Sequence, residues 1–360
     1  MDLDQHLIEL SDAPGVSGYE YPVRDLITRT WEPLLDPTYD HLRVDPMGSL
    51  IATLRGTDPD LESGARLKIL ITAHMDEIGL MVTAIEDGFL RFTNVGGINK
   101  RVLPAQPVIV HGKSALPGLI GTRPPHVLSS DERKKYPDFE KLVIDVGLPA
   151  DQVEKQVRIG DIVTFDSAAG ELSEGLIVGK AMDNRASVAC MTCLLELLQT
   201  RRARWDVLIG ATVQEETGLK GGETLAWDVE PDLAIVVDVG WAIGLGVSDD
   251  KGFKLGDGPT LLIGPDAHPK LFQMVRDTAK DLEIKLTPEV AAGHSGTEAH
   301  AVHMSRSGVP TAVISIPIRN MHSPVEVVAL KDIQRAARLI AGFVWTLDSE
   351  TMSQVWLDEE

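Results

Sequence analysis

His74 and Asp76 directly follow the apolar run Leu67–Ala73, and Asp183 stands in Gly-Lys-Ala-Met-Asp-Asn-Arg just ahead of a helical pattern. Glu215 and Glu216 follow Val207–Val213, Asp238 closes Leu233–Val237, and His322 lies shortly beyond Thr311–Ile316 in Asn-Met-His-Ser-Pro. Imidazole and carboxylate without thiolate suit Zn²⁺, Co²⁺ or Mn²⁺ bound for catalysis. If Asp183 bridges, then His74, Asp183, Glu216, Asp238 and His322 supply three contacts to each of two ions, with room for a shared water. Three carboxylates and a bridging hydroxide then balance the four positive charges. The ions acidify that water and clamp a carbonyl, so one further base must move a proton. Glu215 is next to a ligand yet not needed for coordination, which makes it the candidate. Asp76 is placed to hydrogen-bond the far nitrogen of His74 and set its tautomer.

Each residue alone has a plainer reading. A strand-end His is usually a satisfied polar residue, an Asp before a helix an N-cap, and paired Glu residues solvated. Asp238 resists this, because a carboxylate closing an apolar run needs a partner or a metal. The joint pattern resists it more, since open α/β sheets collect function at the carboxyl ends of their strands. Adjacent residues of an extended strand point to opposite faces. Glu215 and Glu216 therefore serve one site only if the chain bends, which Thr217-Gly218 would permit.

The elements that must position these groups read as follows. Val207–Val213, Leu233–Val237 and Thr311–Ile316 are short, apolar and β-branched, as in strands buried on both faces. Helical spacing marks Arg185–Gln199, Asp266–Leu282 and Leu330–Leu347. The opening reads as helices Asp2–Ser11 and Tyr21–Trp31 split at Pro14-Gly15, followed by strands Leu42–Val44 and Leu50–Leu54. Then the texture changes: Leu80–Ile85, Phe89–Thr93, Val108–His111, Leu142–Val146 and Ile162–Phe165 alternate with Gly and Pro. The economical reading is an α/β catalytic domain over residues 1–76 and 171–360, interrupted by a β-rich insert over 77–170.

With 43% hydrophobic and 24% charged residues among 360, the chain has a globular composition. Its 34 basic and 54 acidic residues leave a net charge of −20, which repels phosphate backbones and anionic lipid. No nucleic-acid or membrane partner is expected. No run approaches the roughly 18 apolar residues of a membrane span, and Met1-Asp2-Leu3-Asp4 is acidic where a signal peptide is basic, so a cytoplasmic location is expected. Cys190 and Cys193 lack a second pair and fall on a helical pattern, which reads as two reduced thiols.

His-x-Asp-Glu-Ile-Gly, Ala-Met-Asp-Asn-Arg, Gln-Glu-Glu-Thr-Gly-Leu-Lys-Gly-Gly, Val-Val-Asp-Val and Met-His-Ser-Pro occur in this order. In them the chain resembles dinuclear metallo-aminopeptidases of the family that includes glutamyl and deblocking aminopeptidases and the tetrahedral (TET) particles. The likeness runs from Val44-Asp45-Pro46-Met47-Gly48 to the last helix. It implies a Zn- or Co-dependent exopeptidase acting on peptides. It also implies a phosphorylase/hydrolase-like three-layer α/β domain carrying an inserted β-barrel dimerisation domain, and a dimer-based, dodecameric homo-oligomer. The resemblance supports His74, Asp183, Glu216, Asp238 and His322 as ligands, Asp183 as the bridge and Glu215 as the general base.

Two segments depart from the family pattern. Gly296-Thr297-Glu298-Ala299-His300 replaces the usual Gly-Thr-Asp-Ala, and Ile318-Arg319-Asn320-Met321 precedes His322 where an Arg-Tyr pair is common. Both touch regions that set side-chain preference. Two other activities compete. Some relatives have been labelled endoglucanases, but glycoside hydrolysis needs two carboxyls about 5 to 9 Å apart and has no use for converging imidazoles. The 5% aromatic content also leaves few rings to stack on sugar. A deacylase acting on N-acyl amino acids would share the metal chemistry while accepting a blocked amine; the insert and the Gln-Glu-Glu-Thr-Gly spacing resemble the aminopeptidase branch more.

Overall fold

In the strands expected to be buried on both faces, side chains divide by parity. Ile69, Ile71, Ile235 and Val237 enter one core, and Leu70, Ala234 and Val236 enter another on the opposite face of the sheet. This is the two-residue period of a strand applied to a sheet covered on both sides. The structure, a computed structural model, describes residues 1–59, 66–247 and 251–356.

The large sheet runs His41–Val44, Leu50–Leu54, Asp206–Thr212, Lys68–His74, Leu233–Trp241, Thr311–Arg319, Glu326–Ala329, Leu176–Gly179 and Gly170–Ser173, with Thr260–Ile263 and Thr287–Val290 branching from Thr311–Arg319. Its four central members, from Asp206–Thr212 to Thr311–Arg319, are parallel. Their carboxyl ends therefore share one edge. Thr212 pairs with His74, and Val236 pairs with Thr72, which brings Asp238 level with His74 two residues later. The helices Leu3–Asp12, Tyr21–Trp31, Met182–Thr200, Pro269–Asp281 and Leu330–Val344 cover one face. Lys220–Val229 and Ala299–His303 cover the other. The result is three layers.

Six antiparallel strands close the expected barrel, in the order Gly79–Glu86, Phe89–Val95, Leu142–Asp145, Ala115–Thr122, Pro107–His111 and Ile162–Phe165. It has a core of its own, including Leu80, Val82, Leu90, Phe92, Ile144 and Val163. Ala115–Thr122 is not legible as a strand, because Pro117, Gly118 and Gly121 lower its β propensity; pairing on both sides supplies the missing stability.

Several limits move. The strand read as Leu233–Val237 continues to Trp241, so Asp238 lies within it, and the strand that begins at Thr311 reaches Arg319. The helix read as Asp266–Leu282 begins only at Pro269, where proline sits naturally in a first turn, and Asp266 is left outside it. Cys190 and Cys193 are both free thiols, with Cys193 pushed up to about 11 by burial. No helix among the described residues is long and apolar enough to cross a membrane.

Candidate metal centre and active site

His74 is the last residue of its strand, and its two ring nitrogens face different neighbours. Nε2 lies 3.2 Å from Asp183 Oδ1, 3.8 Å from Asp238 Oδ1 and 3.9 Å from Glu215 Oε2. Nδ1 lies 3.2 Å from the Asp76 carbonyl and 3.4 Å from the Asp76 carboxylate. Asp76 thus holds the far side of the ring, with its backbone as well as its side chain.

The Asp76 carboxylate does more than that. It accepts the backbone N–H groups of Glu215 at 3.0 Å and Glu216 at 3.2 Å, and the hydroxyl of Ser17. The chain turns at Gln214, whose φ of 56° is left-handed and whose N–H donates to Glu20 at 3.1 Å. The chain thus bends before the two glutamates, and it turns again at Thr217-Gly218, where Gly218 has a φ of 123° and its N–H donates to the Glu215 carbonyl at 2.9 Å. Glu215 is directed toward His74, while Glu216 Oε1 lies 3.5 Å from His322 Nε2.

Asp183 and Asn184, joined by a cis peptide bond, keep non-helical angles, so the regular helix starts at Arg185. The Asp183 side chain makes no cap. It sends Oδ1 to His74 and Oδ2 to His322 Nε2 at 3.3 Å, between the two imidazoles. Asn184 donates to the Val237 carbonyl at 3.0 Å, beside Asp238.

Glu326 escapes the sequence reading. Its Oε2 accepts the Asp183 N–H at 3.0 Å and its Oε1 the His322 N–H at 2.6 Å, so one buried carboxylate sets two backbones. An acid inside the β-branched run Val325–Val328 was the available signal. The scaffold is charged elsewhere too: buried Glu77 pairs with Lys180 at 2.8 Å, and buried Arg185 donates to the carbonyls of Leu10 and Ala13. This ties the first helix to the exits of the His74 and Asp183 segments.

Two sets of donors converge: His74, Asp183 and Asp238, and Asp183, Glu216 and His322, each with ligand atoms within 4.8 Å of one another. Asp183 is in both. Burial, aided by the Asp183 charge, pushes Glu216 up to about 10 and Glu215 up to about 7, and burial also drives Asp238 well above the carboxylate range. Burial opposes the ionised Asp183, yet hydrogen bonds from His322 and His74 hold it low. Carboxylates this crowded need protons or cations, and two imidazoles with three carboxylates form a donor set that fits divalent ions.

These groups line a pocket of about 380 Å³. Glu289, Trp241, Met321 and Ser295–Thr297 complete its wall, and none of the described lining residues is lysine or arginine. The two departing segments part company here. Glu298, 1% exposed, turns inward and accepts the Thr212 hydroxyl at 2.7 Å, while Thr297 faces the pocket. Arg319 donates to the Ile243 carbonyl, leaving Met321 on the wall. The segment after Val95 also reaches the site: a Cβ on Gly97 would lie 3.2 Å from His322 Nδ1.

The sequence profile of the M42 glutamyl aminopeptidase family matches residues 48–339. Lysyl aminopeptidase of Pyrococcus furiosus is 34% identical over 342 residues, covering 92% of this chain and 93% of that protein. A TET aminopeptidase structure from the marine sediment archaeon Thaumarchaeota archaeon SCGC AB-539-E09 superposes with a TM-score of 0.91 at 32% identity, covering 99% of this chain and 100% of that one. Pyrococcus horikoshii TET1 peptidase, described as able to assemble into a tetrahedron or a large octahedral shell, superposes with a TM-score of 0.82 at 30% identity, covering 96% of this chain and 100% of that one. A TET1 structure with the same figures is described as a dodecamer.

Proposed function

Because the chain belongs to the M42 glutamyl aminopeptidase family, a family of metal-dependent peptidases, we propose that it removes the N-terminal residue of peptides with two divalent ions and a glutamate base. The observation that carries this reading is Asp183, whose two oxygens point to different imidazoles in one pocket. His74, Asp183 and Asp238 would hold one ion, and Asp183, Glu216 and His322 the other, with Zn²⁺ or Co²⁺ suited to both sets. When bound, the ions polarise the scissile carbonyl and acidify water.

The chain's own residues do the rest. Glu215 belongs to neither donor set; it takes a proton from the attacking water and delivers it to the leaving amine. Asp76 fixes the His74 ring and the backbone that carries Glu215 and Glu216. Glu326 fixes Asp183 against His322. A pocket lined by carboxylates favours a substrate with a free, cationic α-amine, as an aminopeptidase requires and a deacylase does not.

Residues 1–76 and 171–360 form the catalytic domain in this reading, and 77–170 form an insert through which dimers build a dodecamer. The assemblies described for the TET1 relatives support that step. Aminoacyl-anilides, their N-acetyl derivatives and soluble cellulose, each with and without chelator, test the activity. Chelator-sensitive turnover of the free aminoacyl-anilides alone is expected. Preference for the N-acetyl compounds or for cellulose would overturn the assignment, as would full activity after the ions are stripped.

A further inference from the structure

Outside the two donor sets already described, the described residues bring together one more group able to hold a metal: Asp266, His294 and His300. They come from three places. Asp266 stands just ahead of the helix Pro269–Asp281, His294 is in an exposed loop, and His300 is in the first turn of Ala299–His303. His300 Nδ1 lies 3.2 Å from Asp266 Oδ1 and 3.2 Å from His294 Nδ1. An imidazole nitrogen offers one proton or one lone pair, in one direction. If His300 Nδ1 donates to Asp266, it has no lone pair for a proton on His294; if it accepts from His294, its lone pair faces the carboxylate. The two rings also meet edge to face with centroids 4.2 Å apart, and one linear hydrogen bond does not satisfy both contacts.

A cation does. Bonds of about 2.0–2.1 Å at tetrahedral angles place donor atoms roughly 3.3 Å apart, close to both observed separations. Two imidazoles and one carboxylate are the donor set of a borderline divalent ion such as Zn²⁺ or Co²⁺. We propose that Asp266, His294 and His300 form a third divalent-cation site, separate from the two donor sets of the catalytic pocket. The site has a mechanical consequence. Its ligands bracket Ser295–Thr297, which line the catalytic pocket, and Asp266 Oδ2 accepts the Ser295 N–H at 2.8 Å. An ion there holds one wall of the pocket in place.

Metal analysis of the full-length protein, equilibrated with excess Zn²⁺ and freed of unbound ion, reads the number of ions per chain. Wild type is expected to hold three and His294→Ala/His300→Ala two. Asp183→Ala, which breaks the ligand common to both catalytic sets, is expected to keep one ion that the added double substitution removes. Both histidines are on or near the surface, so the double variant should fold. Its KM for an aminoacyl-anilide is expected to rise several-fold with kcat little changed, as when a pocket wall loosens while the reacting groups stay. Equal ion counts in wild type and the double variant would overturn the site. That result would leave the catalytic pair, tested by Asp183→Ala, standing or falling separately. An unchanged KM after loss of one ion would overturn the role of the site in holding the wall.

Discussion

Glu215 and Glu216 differ by one position in the chain and by what they face in the pocket. Glu216 lies against His322 in a convergent donor set, whereas Glu215 belongs to none. Glu215→Gln keeps size and hydrogen-bonding capacity but removes the base, so both ions should stay while kcat falls by at least ~10²-fold. Glu216→Gln replaces an anionic ligand by a weak neutral one, so metal content should fall together with activity. Metal analysis of the two purified variants, run beside kinetics, checks both. Loss of metal from Glu215→Gln with full occupancy in Glu216→Gln would mean that the roles are exchanged. That these residues gather in one pocket was legible from type and position at strand ends. The place of Asp76 beside the far nitrogen of His74 was legible too, but its hold on the N–H groups of Glu215 and Glu216 and the contacts of Glu326 were not, because these are backbone groups that only the fold brings near. The reasoning that marks Asp238, an acid in an apolar run, marks Glu326 equally well; that it holds backbones depends on where its strand lies.

Elements deliver these side chains by register, and register was the part least visible in the sequence. The parallel core strands announced themselves through β-branched apolar runs, since burial on both faces leaves little room for polar residues. Ala115–Thr122 did not, because its stability comes from its partners. Nor did the approach of Gly97 to the site, which depends on how the barrel is seated on the sheet. Gly97→Ala would put a Cβ 3.2 Å from His322 Nδ1, tight enough to displace the ring. Weaker metal binding and lower activity are expected while the melting temperature of the metal-free protein is little changed; unaltered zinc affinity would count against it. The first helix offers a pH test. His6 is buried against the Thr192 hydroxyl at 3.0 Å, and burial lowers its pKa to about 4. The unfolded chain, with a histidine pKa near 6.5, binds a proton the folded chain refuses. Stability from this residue is therefore complete above about pH 6.5 and lost as pH falls toward 4, at about 1.4 kcal/mol per unit within that window. His6→Gln should lose less of its urea midpoint than wild type between pH 7 and pH 5. Equal losses would show that His6 does not titrate this way.

At the scale of the molecule, a barrel with its own core sits on a sheet whose edge carries the converging donor groups, and the outer wall of that barrel is not uniformly polar. Leu90 pairs with Ile144 and Leu119 with Asp145. One step along the antiparallel ladder puts Phe89 opposite Asp145 as well. Phe89 and Leu119 therefore flank Asp145 on the outer face of three adjacent strands, 43% and 58% exposed. Apolar side chains on a small barrel with a net-negative chain around it fit a surface that is covered by a second copy. A closed particle of twelve 39.1 kDa chains weighs about 470 kDa, and light scattering at micromolar concentration should find that mass or its dimeric building block. Phe89→Glu/Leu119→Glu places two more carboxylates beside Asp145, so association through this face should be lost. The mass should drop while metal content and turnover of small aminoacyl-anilides persist, since neither side chain lines the pocket. A monomeric wild type would remove the case for assembly. A variant that keeps the full mass would move the contact to another face.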